Sequence, residues 1–157
     1  MAVHGRVRRM SRRILRGFST EHLVVLRENK GLSRGELARL ADVSIGTVQA
    51  WETGRATPSV DTLLRVAGVL GVSMEEVVRI DPEVRFLGDL RVLAGMTQPQ
   101  LATKIAISTT ALSNLELGQA RLTDEVADRI ARALDLPKAT VAEAYERVRT
   151  RPAGDPA

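Results

Sequence analysis

Apolar residues recur along this chain with the period of an α-helix. Leu63, Val66, Ala67 and Leu70 follow i, i+3, i+4, i+7, and Ala127, Ile130, Ala131 and Leu134 repeat that stripe further on, the spacing that buries one helical face. No segment alternates with period two for long enough to argue a strand. Helix starts are marked where a hydroxyl residue is followed three positions later by Glu or Gln: Ser33 with Glu36, Ser73 with Glu76, and Thr97 with Gln100. In each case the two side chains satisfy N–H groups that the first helical turn leaves unpaired. Gly54 and Gly118 suit the C-caps of helices opening at Ser44 and Ser108, because glycine enters the left-handed region without strain. The pattern predicts five short helices, at 21–30, 34–41, 45–53, 59–70 and 74–80.

The same set returns 64 residues later without a gap, since Gly31 falls on Gly95 and Gly54 on Gly118. Leu23/Leu87, Arg27/Arg91, Leu37/Leu101, Ala38/Ala102, Ser44/Ser108, Glu52/Glu116 and Leu70/Leu134 then coincide. A solenoid needs three or more copies of a shorter period, so two copies of this size predict two small all-α domains of five helices each. The expected boundaries are an arm at 1–17, domains at 18–80 and 81–150, and a disordered end at 151–157. Asp81-Pro82 reads as an N-cap followed by proline at the first helical position, so the second copy begins at once. With no Gly/Ser stretch at the junction and with Ile80, Val84 and Phe86 there as apolar surface, the two units are expected to keep a fixed relative orientation.

Composition narrows the chemistry. Among 157 residues, 44% are hydrophobic and 27% charged, a globular balance. The absence of Cys excludes disulfides and thiolate metal sites. Two histidines, His4 and His22, with no HExxH between them, leave zinc or imidazole catalysis almost nothing to work with. No apolar run approaches the roughly 18 residues of a membrane span, and Ile14-Leu15 is no signal-peptide core. The default expectation is a soluble cytoplasmic protein. The charge is unevenly placed: Arg6, Arg8, Arg9, Arg12, Arg13 and Arg16 stand without an acid in residues 1–20, whereas the whole chain is only +4. A polyanion would meet that arm first.

Several spaced features coincide in both copies: Gly31-Leu32-Ser33 with Glu36-Leu37-Ala38, then Val43-Ser44, then Glu52 and Gly54; and Gly95-Met96-Thr97 with Gln100-Leu101-Ala102, then Ile107-Ser108, then Glu116 and Gly118. With the amphipathic fourth helix, these make residues 22–147 resemble two tandem copies of the Cro/Xre-type helix-turn-helix of phage repressors and bacterial regulators, the first more closely. The resemblance implies a λ-repressor-like all-α fold and double-stranded DNA as partner. Its third helix enters the major groove, where residues near the helix start reach base edges. The implied DNA-facing residues are Ser44, Ile45, Gly46, Thr47, Gln49 and Ala50 in the first copy, and Ser108, Thr109, Thr110, Ser113 and Asn114 in the second. Arg34 and Gln98, opening the second helices, and Arg55 after Gly54 are implied phosphate contacts. Gln49 is the residue able to bond adenine.

Val48 and Trp51 are expected to face inward from the third helix, with Trp51 in the core rather than stacked on bases. The resemblance also pairs Arg27 with Glu52 and Arg91 with Glu116, as structural ion pairs and not catalytic acids. The family usually has glycine at the turn between the second and third helices, whereas Asp42 and Ala106 stand here. Asp tolerates positive φ moderately and Ala poorly, so the family pattern does not fix the geometry of the second turn.

The leading functional expectation is a sequence-specific DNA-binding transcriptional regulator, a repressor, reading DNA through one or both third helices. The alternative gives DNA binding to the first domain only and makes the second a dimerisation or protein-interaction module, as an antitoxin or anti-activator uses one. No nucleophile–base pair or phosphate-binding loop supports an enzyme, and no cofactor, metal, membrane or small-molecule effector is called for. Whether the chain pairs with itself or with another protein is left open by the residues.

Overall fold

The computed structural model describes residues 15–157; Arg6, Arg8, Arg9, Arg12 and Arg13 of the expected arm, with His4, lie outside the described residues. The first unit comprises α1 (Thr20–Asn29), α2 (Arg34–Leu40), α3 (Ile45–Glu52), α4 (Val60–Leu70) and α5 (Met74–Val77). The second comprises α6 (Leu87–Leu93), α7 (Gln98–Lys104), α8 (Thr109–Glu116), α9 (Asp124–Leu134) and α10 (Lys138–Arg149). The caps fall where the hydroxyl residues place them. Ser33 Oγ accepts from the Glu36 N–H at 3.1 Å while Glu36 Oε2 accepts from the Ser33 N–H at 2.9 Å. The Ser33 N–H first, and the Ser33 hydroxyl second, stabilise the charged Glu36 carboxyl and hold it below its usual pKa. Thr97 and Gln100 repeat the reciprocal pair in front of α7.

Each unit folds around its own apolar centre. The stripe of α4 (Leu63, Val66, Ala67, Leu70) closes over Leu23, Leu37, Val48 and Trp51. That of α9 (Ile130, Ala131, Leu134) closes over Leu90, Leu101, Leu112 and Leu115. The turn joining α2 to α3 ends α2 with a bond from the Val43 N–H to the Ala38 carbonyl at 2.9 Å, and that joining α7 to α8 has the matching bond from Ile107 to Ala102 at 3.0 Å. This closure requires a left-handed residue just past the helix. Asp42 (φ 56°) and Ala106 (φ 58°) supply it alike, so the second turn keeps the geometry of the first although its residue is a strained one there.

The fifth helices depart from the predicted repeat. The helix predicted at 74–80 stops at Val77, because Val78 turns extended and makes an antiparallel bridge with Phe18. The Arg79 N–H donates to the Gly17 carbonyl at 2.9 Å. Its counterpart α10 runs on to Arg149 because Tyr145 and Val148 are buried in the second core, with the Tyr145 hydroxyl donating to the Ala120 carbonyl at 2.6 Å. Asp81-Pro82 caps a short 3-10 turn, Pro82–Val84, rather than an α-helix. The second unit's first helix therefore opens later than predicted, at Leu87. The expected disordered end begins with an anchored residue: Arg151 Nη1 donates to the carbonyls of Leu117 (2.8 Å) and Val148 (2.6 Å).

The two units touch through α6. Its Leu87 and Leu90 belong to the second core, whereas Val92, 7% exposed, completes the first core with Leu93 beside it. Leu64 of α4 sits against the turn after α6, so close that a Cβ on Gly95 would come within 2.9 Å of it. Arg85 donates to the Ile80 carbonyl at 3.0 Å and its own carbonyl accepts from Arg147 of α10 at 3.1 Å.

Candidate nucleic-acid interface

In the first unit the turn after α2 delivers the chain to Ser44, whose Oγ accepts from the Thr47 N–H at 3.1 Å and lies 2.8 Å from the Thr47 hydroxyl. With Val48 and Trp51 buried, the helical period sends the intervening positions outward. Ile45 is 60% exposed; Ser44, Gly46 and Gln49 are exposed, and Thr47 and Ala50 half-buried. An exposed isoleucine at the start of α3 suits apolar contact, of the kind a thymine methyl provides. Gly46 is not required by packing, since a Cβ there would approach nothing nearer than Ser44 Oγ at 3.9 Å. The carbonyl of Ala50 accepts from the N–H groups of Arg55 (2.9 Å) and Ala56 (3.1 Å), which folds the following loop and presents exposed Arg55 beside the end of α3. Its Nε donates to Thr53 Oγ1 at 3.2 Å.

The second unit repeats this framework with different outward chemistry. Ser108 Oγ accepts from the Ala111 N–H at 3.0 Å, Leu112 and Leu115 face the core, and the Asn114 carbonyl accepts from Gln119 (2.9 Å) and Ala120 (3.2 Å). Ser108, Thr109 and Thr110 are exposed, while Ser113 and Asn114 are half-buried. Gln119 thus stands where the first unit has Arg55, and exposed Arg121 follows two residues on, a cation that the register of the repeat does not single out.

Behind each third helix lies a buried carboxylate. Glu52, its side chain fully buried, receives Arg27 Nε on Oε1 at 2.7 Å and Arg34 Nε on Oε2 at 2.8 Å. Glu116 receives Arg91 Nε at 2.6 Å and Nη2 at 3.1 Å, with the Gln98 amide on Oε2 at 2.8 Å. Arg27 and Arg91 each give a further bond to a carbonyl five residues on, Leu32 and Met96, both at 2.8 Å. The predicted pairs are present, and each joins the first helix of its unit to the third. The two implied phosphate contacts take part as well. Arg34 commits its Nε to Glu52 while 44% of its side chain stays exposed, whereas Gln98 is half-buried with its amide nitrogen committed to Glu116. At the positions that the resemblance implies to meet phosphates, the first unit therefore carries guanidinium groups where the second carries amides.

Arg16, expected in the DNA-binding arm, is found elsewhere. Its Nη1 pairs with Asp89 of α6, its Nη2 donates to the Val84 carbonyl at 3.2 Å, and its guanidinium lies 4.1 Å above the Phe86 ring. Asp89 is 6% exposed and also accepts from the Phe86 N–H at 2.7 Å. Burial pushes its pKa up against the opposing pull of that N–H and of Arg16. The available sequence signal was an acid three residues after Phe86, the N3 position of a capped helix; nothing in the repeat pointed to Arg16 as its partner. Among the described residues no group of acids and histidines is arranged to hold a metal ion, and no helix is long and apolar enough to cross a membrane.

A helix-turn-helix family model matches residues 25–77 and, separately, 87–141. Repressor protein C of Escherichia phage P2 is 38% identical over 47 residues, which cover 30% of this chain and 48% of that protein. The chain thus aligns with about half the length of this curated relative.

Proposed function

The chain belongs to the Cro/Xre-type helix-turn-helix family, carrying two copies of the motif, and from that premise we propose that it is a transcriptional repressor that reads double-stranded DNA with both α3 and α8. The observation that carries this is the duplicated mounting. In both units a capped helix start, a buried apolar pair and a buried carboxylate hold the third helix rigidly while its N-terminal residues face solvent. Rigid presentation of three or four side chains is what major-groove reading demands. Ile45, Gly46, Gln49 and Ala50 then address one half-site, with Ser44, Thr47, Arg34 and Arg55 toward the phosphates. Thr109, Thr110, Ser113 and Asn114 address the other, with Ser108 and Gln98 toward the phosphates. Because the two sets differ, a single chain reads a site that is not a palindrome, its halves about one helical turn apart.

The first unit supplies the larger electrostatic share, since Arg34 and Arg55 have Gln98 and Gln119 as counterparts, and only cations release counterions from the duplex. That asymmetry, with Ser113 and Asn114 half-buried, favours a second reading in which the first unit alone binds DNA and the second serves as a dimerisation or protein-interaction module. Footprinting on genomic DNA combined with sedimentation separates the two. Two adjacent, unequal half-sites protected per chain, the second lost on Thr109→Ala with Asn114→Ala, support the two-reader function. One short half-site per chain, indifferent to those substitutions, supports the module.

A further inference from the structure

We propose that Arg16 is a positioning residue that locks the two units together and so sets the half-site spacing the chain accepts; this rests on the two-reader function above. The segment just before α1 is held by both units at once. On the first, Leu15 packs against the core, Phe18 bridges to Val78, and the Gly17 carbonyl accepts from Arg79. Gly17 has φ +78°, and a Cβ there would come within 2.5 Å of Ile80, so the strap lies tight on the end of the first unit. On the second unit, Arg16 reaches Asp89, the Val84 carbonyl and the face of Phe86. Charge, hydrogen bonding and ring stacking thus converge on one guanidinium, a combination that its planar, several-donor group suits better than a lysine's compact ammonium.

Asp89 is the N3 residue of α6, and α6 also inserts Val92 into the first core. Fixing Asp89 therefore fixes the rotation of α6, and through it the body that carries α8. A rigid connection binds sites of matching separation strongly and others weakly, whereas a loose one accepts a range of separations at lower effective concentration.

The natural chain has no cysteine, so Glu28→Cys on α1 and Ala142→Cys on α10, both exposed, take spin labels at those positions alone. Distances are measured in the full-length chain without DNA, and affinity is measured for operator duplexes with zero to four base pairs inserted between the half-sites. With Arg16 intact, a narrow distance distribution and a loss of ten-fold or more on insertion are expected. Arg16→Ala is expected to broaden the distances, weaken the native spacing roughly ten-fold and flatten the preference among spacings. Asp89→Asn, which keeps an acceptor for the Phe86 N–H, is expected to do the same, and Arg16→Lys to restore only part of the preference. Unchanged distances in Arg16→Ala, with a salt slope lower by one phosphate contact, overturn the latch and return Arg16 to the DNA. Broadened distances in a chain that protects a single half-site leave the latch standing but overturn its role in spacing, through the function beneath it.

Discussion

Replacing Glu52 with alanine withdraws the acceptor from two guanidinium groups at the centre of the first unit. Arg27, its side chain 10% exposed, cannot turn to water and keeps only its bond to the Leu32 carbonyl, whereas Arg34, 44% exposed, can. One uncompensated buried cation is thus left behind, a situation that costs about 3–5 kcal/mol, against about 0–1 kcal/mol for a pair in solvent. Set beside a total stability of about 5–15 kcal/mol, that is a large share. For a chain near 150 residues it corresponds to a melting temperature lower by about 6–20 °C, at roughly 2–4 °C per kcal/mol. Thermal unfolding followed by far-UV circular dichroism reads the shift directly. The double variant Glu52→Ala with Arg27→Met should recover a substantial part of the loss, since an apolar side chain of similar length leaves no stranded charge. Glu116→Ala strands Arg91 in the same way but frees a neutral amide in place of a second cation, so its effect should be equal or smaller. A Glu52→Ala protein within about 1 kcal/mol of the parent would refute the reasoning, as would a double variant no more stable than the single one.

Gln49→Ala should relax base preference at one position, at a cost of about 1–3 kcal/mol there, whereas Arg34→Ala should weaken all sequences alike and also lower the melting temperature through Glu52; a binding-site selection with parallel melting curves checks both. Deleting residues 1–14 removes five arginines while sparing Leu15 and Arg16, and if those arginines lie on phosphates the slope of log K against log salt should flatten by up to about 4–5 units, at about 0.9 per contact. Ala106→Gly relieves a left-handed alanine worth about 1–2 kcal/mol and adds about 0.4–1 kcal/mol of unfolded-state entropy that folding must offset, so a net gain of about 0–1.6 kcal/mol is expected in denaturant titration. The Glu36 carboxyl should titrate below 4.5 by NMR, so its stabilising share is complete above the unfolded pKa and is lost as the pH falls through the lowered folded value; Ser33→Ala, which removes the hydroxyl but keeps the backbone donor, should reverse only the smaller part of that lowering.

The elements that a local pattern dictates were legible from the residues. Cap pairs and the apolar stripes of α4 and α9 were marked in the chain, as was the inward face of α3, because each depends on residues within one or two turns of one another. The partner of Glu52 was legible only through the family resemblance, since 25 residues separate it from Arg27 and no local rule spans that gap. What escaped were features set between distant parts of the chain. The early end of α5 follows from a bridge to Phe18, and the pairing of Arg16 follows from a carboxylate 73 residues away; a count of arginines near the start of the chain points to neither. Ala106 shows the opposite case, where an unfavourable residue yields to a turn that its neighbours impose.

The seating of Val92 in the first unit's core also bears on how the protein emerges from the ribosome. Val92, which completes the first unit's core, lies fourteen positions beyond Val78, the last fully buried residue that the unit gives to its own core. At about 5–20 residues per second, elongation leaves the nascent first unit for about a second or more with an apolar gap facing outward. It is closed only when the opening helix of the second unit arrives. A pause in translation that delays the emergence of residues 79–92 would lengthen that interval and give a chaperone longer to find the gap, so folding of the first repeat waits on the arrival of the second.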